Sequence, residues 1–319
     1  MNPVLLPWIA LLVAACATSL LLALLLRRAD ALPVDLPNER SLHQRPIPRI
    51  GGLAVFPGIV VACVAVGAGA AAVPLVLATV LFLLSIVDDW RGLPAGLRFG
   101  SHFVVAAGYA WWIGGASPLA LAGAFAMAWM TNLYNFMDGA NGLAGGMTAI
   151  GFGVLALAGG EPLLASAVVG AALGFLRYNF DPARIFLGDA GSIPLGFLAG
   201  ALCFAGVAQG RWPLWFPLLV FAPFVIDATI TLLRRMARRE KFWAAHRQHY
   251  YQRLVRLGWS HRRLALAEYA LMAGCGALAL ALLAAPPLLQ AAGVAGCLAF
   301  HAGLMWWIDR HWAVRGEPA

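Results

Sequence analysis

Eleven apolar runs close to the length that crosses a bilayer recur along this chain, and they leave it one class of fold. They cover residues 4–26, 51–68, 72–87, 98–114, 117–134, 142–158, 161–178, 191–208, 212–233, 264–284 and 287–307, against the roughly 20 residues that a transmembrane helix needs. The runs predict an all-α polytopic membrane protein of eleven helices, or ten if one short Gly-rich pair merges, forming a single domain over residues 1–319. Composition agrees, with 62% of residues apolar and 11% charged, where soluble domains carry roughly 25% charged residues. The first run has no basic residue before it and Arg27 and Arg28 after it. That is the reverse of a signal peptide, so a retained helix is expected.

Basic residues alternate between loops. If the amino terminus lies outside, the inner loops hold Arg27, Arg28, Arg40, Arg45, Arg49, Arg91, Arg98, Arg177, Arg184, the 234–263 segment, Arg310 and Arg315, leaving Arg211 alone outside. The positive-inside rule then predicts an outer amino terminus and an inner carboxyl terminus. The net charge of +8 becomes a property of the inner face, suited to anionic lipid head groups. No base-reading or stacking module accompanies it, which excludes nucleic-acid binding. Cys16, Cys63, Cys203, Cys275 and Cys297 all sit in apolar runs without paired spacing. They read as packing residues, with no disulfide or zinc site implied.

Four polar clusters interrupt this background, all at inner helix ends or inner loops. Asp88 and Asp89 close the third run, where the helix dipole disfavours anions. A solvated end beside Arg91 accounts for them, as does a cation or a proton-accepting role. Asn132, Asn135, Asp138 and Asn141 follow at three-residue steps, which share a helical face only if the helix breaks near Gly139. Such a break is tolerated over a cavity but not against lipid. In the segment RYNFDPARIFLGDAGS, Asp189, Gly191 and Ser192 fall where a helix begins, either as simple caps or as an anion site. Phe186 there is an interface aromatic or a stacking platform. His246 and His249, at i, i+3 among arginines, suit phosphate better than a divalent ion, unless the loop is merely solvated. Asp227, inside the ninth run with Thr231 and Arg234 at i+4 and i+7, reads as a structural ion pair.

Four segments in order, SLHQRPIPRIGG (41–52), VDDW (87–90), NFMDGANGLAGG (135–146) and FLGDAGS (186–192), resemble the polyprenyl-phosphate N-acetylhexosamine-1-phosphate transferase family, which includes the phospho-MurNAc-pentapeptide and GlcNAc-1-phosphate transferases. The resemblance spans nearly the whole chain. It implies transfer of a sugar phosphate from a UDP-sugar to undecaprenyl phosphate, with release of UMP, at the cytoplasmic face of a bacterial inner membrane, and with a periplasmic amino terminus. It also implies Mg²⁺, with Mn²⁺ as an alternative. Carried over by motif, Asp189 would bind the metal with Asn135 as a second ligand, and Asn141, Asn179 and Phe186 would line the nucleotide pocket. Asp88 and Asp89 would activate the lipid phosphate or position the metal, and Asp138 would stand between metal and nucleotide. His246 and His249 would contact donor phosphates, with Arg49 at the basic rim. Membrane lipids are the remaining partners, and a homodimer is a candidate assembly.

Two departures bear on the donor. Gly92 replaces the last acid of a DDxxD pattern, and His246 and His249 replace contiguous histidines of the MurNAc-pentapeptide branch. The chain looks most like the branch serving O-antigen or other surface glycans, with GlcNAc, QuiNAc or FucNAc donors. A transporter or flippase is the rival of a different class. No internal repeat is apparent, and the polar groups crowd one face rather than the bilayer midplane expected of transporters.

Overall fold

The computed structural model describes residues 2–28, 34–35, 46–241 and 246–314. Arg40, Arg45, Arg315 and the first five residues of SLHQRPIPRIGG lie outside these. Helices dominate: α1 (Leu6–Leu26), α2 (Gly52–Ala65), α3 (Ala72–Arg91), α4 (Ala95–Gly114), α5 (Pro118–Phe136), α6 (Leu143–Leu157), α7 (Pro162–Asn179), α8 (Asp189–Ala208), α9 (Trp215–Val220), α10 (Ala222–Ala237), α11 (Tyr250–Arg256), α12 (His261–Leu283) and α13 (Pro287–Val314). Five of them, α1, α3 with its preceding 3-10 turn, α8, α12 and α13, are long and apolar enough to cross a membrane by length and composition.

Ten of the predicted runs coincide with single helices, whereas the run 212–233 is two. The reason is local: Pro223 lacks an N–H and its ring crowds the carbonyl of Leu219, so α9 stops at Val220 and α10 restarts at Ala222. α11 lies in what the hydropathy pattern left as a basic loop. A second departure from an all-helical chain is small. Val34–Asp35 pairs antiparallel with Ile47–Pro48, and Arg49 then bridges Phe186 in parallel.

α8 is the centre of the bundle, packed against α2, α3, α4, α5 and α6. It is buried on nearly every face, so its apolar character meets protein rather than lipid. Small residues permit this. A methyl group on Gly196 would press on the Met130 carbonyl and Thr131 of α5 at 2.8 Å, and one on Gly200 would meet Met127 at 3.0 Å, as in small-xxx-small helix pairing. A Cβ on Gly52 would collide with the backbone of Ala190 and Gly191, which brings the start of α2 against the start of α8.

α12 and α13 form a hairpin at the end of the chain. Residues at similar distances from its turn meet, so Cys275 and Cys297 lie with their sulfurs 3.9 Å apart and His301 Nδ1 is 3.6 Å from Cys297 Sγ. Linear spacing hides this contact. All five cysteines are free.

Candidate active site

The ends of α3, α5 and α8 converge on a cleft of about 40 Å³, lined by Asp88, Arg98, His102, Asn132, Asn135 and Asp189 among others. That volume holds roughly three waters at about 10–15 Å³ each. Asp189 opens α8 after Gly188, whose φ of +72° favours glycine. Its Oδ1 accepts from Asn135 Nδ2 at 2.9 Å and from Arg49 Nη2 at 3.1 Å. Its Oδ2 lies 3.9 Å from Arg98 Nη1. Arg49 is delivered by backbone pairing: Phe186 N–H donates to Pro48 O at 2.8 Å, while Gly51 and Gly52 donate to the carbonyls of Phe186 and Leu187 at 2.8 and 2.7 Å. Phe186 is half-buried in this stitch.

The cost of placing Asp88 and Asp89 at a helix carboxyl end is offset from neighbouring elements. Asp88 accepts from Leu93 N–H at 2.6 Å and from Arg98 Nη1 at 3.1 Å. Asp89 lies near the N–H of Ala190 in the first turn of α8, at the positive end of a second helix. The α8 amino terminus therefore serves a protein carboxylate. Asn135 bonds Ser192 Oγ at 3.1 Å as well as Asp189, so its amide hydrogens fix its orientation at the cleft wall.

The helix break near Gly139 exists, since α5 ends at Phe136 and α6 begins at Leu143. It does not bring the four polar residues to one face. Asn132 accepts from His102 Nδ1 at 3.1 Å and Asn135 faces Asp189. Asp138 stands close enough to Tyr251 of α11 to help raise its hydroxyl far above the usual range, behind the larger effect of burial and alongside Asp227. Asn141 donates to Asp181 at 2.8 Å, and its N–H donates to His261 Nδ1 at 3.2 Å. Asn132 and Asn135 still share the cleft, whereas Asp138 and Asn141 turn away because the chain unwinds after Met137 and the 100° step no longer applies.

Asn179 is buried, with its Oδ1 accepting from Gly142 N–H at 2.9 Å and its Nδ2 donating to Ile185 O at 2.9 Å. It clamps the break after α5 to the loop before α8. Asn179→Ala orphans both backbone groups at about 1–3 kcal/mol each. The expected result is a lower melting temperature, read by thermal shift.

His246 and His249 precede α11 rather than sharing a helical face, because His249 is its N-cap. Their rings still lie 4.8 Å apart. The buried His249 donates from Nδ1 to Asp227 Oδ1 at 3.2 Å and stacks on Phe136, 6.1 Å between centroids. Phe136 also lines the acidic cleft, so the histidine pair and the cleft are contiguous. Asp227 is not paired with Arg234, which bonds Asp309 at 2.7 Å. It accepts instead from Thr231 Oγ1, the N–H groups of Tyr250 and Tyr251, and His249.

Burial, then the neighbouring His249 and Arg235, pull the His246 imidazole down to about 3, against a smaller opposing effect of Asp227. It is neutral at pH 7, a hydrogen-bonding group rather than a cation. Its folded value lies below its unfolded one, so the unfolded chain binds the extra proton and stability falls as pH drops from about 6.5 toward 3. His246→Gln is expected to flatten the decline of melting temperature between about pH 6.5 and 5; an unchanged slope contradicts this assignment.

The family profile for glycosyl transferase family 4 matches residues 71–207. A probable undecaprenyl-phosphate N-acetylglucosaminyl 1-phosphate transferase of Bacillus subtilis is 32% identical over 264 residues, covering 74% of this chain and 73% of the relative. The chain belongs to this family, the polyprenyl-phosphate N-acetylhexosamine-1-phosphate transferases. A decaprenyl-phosphate N-acetylglucosaminephosphotransferase of Mycobacterium tuberculosis is 31% identical over 74% of the chain and 72% of the relative. A phospho-N-acetylmuramoyl-pentapeptide-transferase of Picosynechococcus is 30% identical over 69% and 70%.

The family 4 segment contains Asp88, Asp89, Asn135, Asp138, Asn141, Asn179, Phe186 and Asp189, while Arg49, His246 and His249 lie outside it. The fold of this family 4 chain brings Arg49 to Asp189, and brings the histidines beside Phe136. Arg98 and His102 line the same cleft, and His261 meets Asn141. Sequence reasoning counted Arg98 only as an inner charge and passed over the two histidines. The signal for Arg98 was its position one helical hairpin after Asp88 and Asp89, where an α3–α4 turn must fold it back.

Proposed function

We propose that this family 4 protein transfers an N-acetylhexosamine 1-phosphate from a UDP-sugar to undecaprenyl phosphate, releasing UMP and starting a cell-surface glycan such as O-antigen. The observation that carries this reading is the gathering of Asp88, Asp189 and Arg98 in one cleft, with Arg49 paired to Asp189 and Asp89 beside them. An apolar groove lies along α5 and α8. It is about 330 Å³, lined by Met130, Leu133, Phe204, Leu218, Phe221 and other residues of α5, α8, α9 and α10, and suits a prenyl chain whose phosphate reaches the cleft.

The donor set supports a divalent cation. The carboxylates of Asp189 and Asp89 and the carbonyl of Asn135 are hard oxygen donors of the kind Mg²⁺ takes, and Mg²⁺ needs only one or two protein carboxylates beside water and substrate phosphates. Mn²⁺ accepts the same ligands. When bound, the metal would neutralise charge on the diphosphate and on departing UMP. Arg49 and Arg98 lower the repulsion between two anionic substrates and hold them for in-line attack. Asp88, with both oxygens engaged, positions Arg98 rather than acting as a nucleophile. No general base is required, because a phosphate monoester with a second pKa near 6 is already mostly dianionic at pH 7. His249, held by Asp227, is placed to direct Nε2 toward donor phosphate, and Asn141 with His261 forms the wall assigned to uridine.

The phosphate acceptor attacks the donor phosphorus directly, and the P–O bond to UMP breaks in the same displacement. The experiment supplies purified protein with donor labelled in its sugar phosphate but no acceptor. No labelled enzyme is expected, and a trapped aspartyl phosphate would establish the two-step route instead. A panel of UDP-sugars with acceptor then sets the branch. UDP-GlcNAc or a related 6-deoxy sugar is expected to be used and UDP-MurNAc-pentapeptide refused; the reverse would assign the chain to the second reading, favoured by its similarity to the Picosynechococcus enzyme. We also place the cleft at the cytoplasmic face of a bacterial inner membrane. A fluorescent protein at the carboxyl terminus should fold and fluoresce, and a dark fusion with active periplasmic phosphatase would invert that orientation.

A further inference from the structure

A groove of about 450 Å³ opens beside the active-site end of the bundle, between the turn after α11, the first turn of α12 and the last turns of α13. Leu257, Trp259, Arg263, Trp307, Arg310 and His311 line it, with Val314 at its edge. No carboxylate is among these residues. The Arg263 guanidinium lies 4.1 Å above the Trp259 ring, and that of Arg310 lies 4.7 Å above Trp306. Among the described residues neither guanidinium has a carboxylate partner. Asp309, next in sequence to Arg310, is committed elsewhere: Arg234 and Arg253 hold it at 2.7 and 2.8 Å. Stacking fixes the two planar cations while leaving their N–H edges for an anion.

The groove also sits where lipid head groups do. α13 is apolar and long enough to span, and Trp306, Trp307 and Trp312 cluster in its last turns, as indoles do at a membrane–water boundary. Farther along α13, Leu298 and Phe300 are exposed and offer a track for acyl chains. Basic pockets between membrane helices suit anionic lipid phosphates. Leu257, Val314 and the indoles give this one an apolar floor that a free phosphate would not use.

We infer that this groove binds one anionic phospholipid, with Arg263 and Arg310 taking phosphate oxygens and the acyl chains lying along α12 and α13. Such a lipid bridges helices that share little surface, since α13 buries Cys297, His301 and Ile308. The site is separate from the acceptor groove between α5 and α9.

The test uses the full chain, delipidated in neutral detergent, and native mass spectrometry with phosphatidylglycerol or phosphatidylcholine. One phosphatidylglycerol per chain is expected, with phosphatidylcholine lost at the same collision energy. Arg263→Gln combined with Arg310→Gln should weaken phosphatidylglycerol binding roughly 30-fold, two basic contacts at about 1 kcal/mol each. Arg27→Gln with Arg28→Gln, an equal loss of charge outside the groove, should leave it unchanged. Equal retention by the groove variant, equal loss in the control variant, equal binding of phosphatidylcholine, or full displacement by inorganic phosphate would each overturn the proposal. Hydrogen exchange on the unmodified protein makes the test independent of variant folding. Phosphatidylglycerol should slow exchange at residues 257–263 and 306–314, and protection only elsewhere would contradict the site.

Discussion

Asp189→Ala is expected to lower turnover roughly 1000-fold, the scale of losing a principal electrostatic group at a charged transition state, while moving the melting temperature little. The asymmetry follows from the site. The Asp189 partner Arg49 is 40% exposed in its side chain, and partly exposed ion pairs contribute about 0–1 kcal/mol to folding. Asn135 and Ser192 still bond each other when the carboxylate is gone. Asp189→Asn should be nearly as inactive, because it keeps the shape and the contact with Arg49 but loses the charge that a cation requires. Initial rates of UMP release and a thermal melt on the same preparations decide it. Substantial activity in either variant would remove Asp189 from the mechanism.

Asp227→Ala should fail in a different way, through folding as well as rate. The buried carboxylate receives four hydrogen bonds, from Thr231, His249 and the N–H groups that begin α11. Removing it strands two amides and a histidine in a packed interior. Breaking such a network costs about 3–5 kcal/mol, which corresponds to a fall in melting temperature of roughly 6–10 °C at this chain size. With α11 released, His249 loses its stack on Phe136 and the wall of the cleft opens. Turnover should then fall roughly 100-fold, accompanied by faster proteolysis or hydrogen exchange across residues 246–256. An unchanged exchange rate there, with activity lost, would make Asp227 a group of the reaction itself rather than the anchor of α11.

The helices were legible because burial in hydrocarbon and burial in protein both demand apolar runs, so the runs located ten helices whichever surface they face. The same ambiguity hid the role of α8, whose 20 residues look like a lipid-facing span but form the protein's centre. Small residues such as Gly196 and Gly200 were the clue to it. The ninth run misled because apolarity outweighed Pro223, a strong helix breaker visible in the sequence. In the site, Asp88, Asp89, Asn135 and Asp189 stood out as polar groups where lipid would forbid them. Their partners did not. Arg98 and Arg49 reach Asp189 across 91 and 140 residues of chain, and no local period links them. The drift of Asn132, Asn135, Asp138 and Asn141 to separate partners depends on where α5 unwinds. Likewise, the role of Asp227 is set by α11, a short helix with no apolar run to announce it.

The central claim is that the cleft of Asp88 and Asp189, with Asp89 beside it, passes a sugar phosphate between a nucleotide and a membrane lipid. The most direct measurement combines purified protein, undecaprenyl phosphate, Mg²⁺ and UDP-GlcNAc or its 6-deoxy relatives, and follows UMP and lipid-linked diphosphate sugar together. Equal amounts of both products are predicted, abolished by chelation and by Asp189→Ala. Absence of UMP with every donor in the panel, UMP without the lipid product, or full activity in that variant would contradict it.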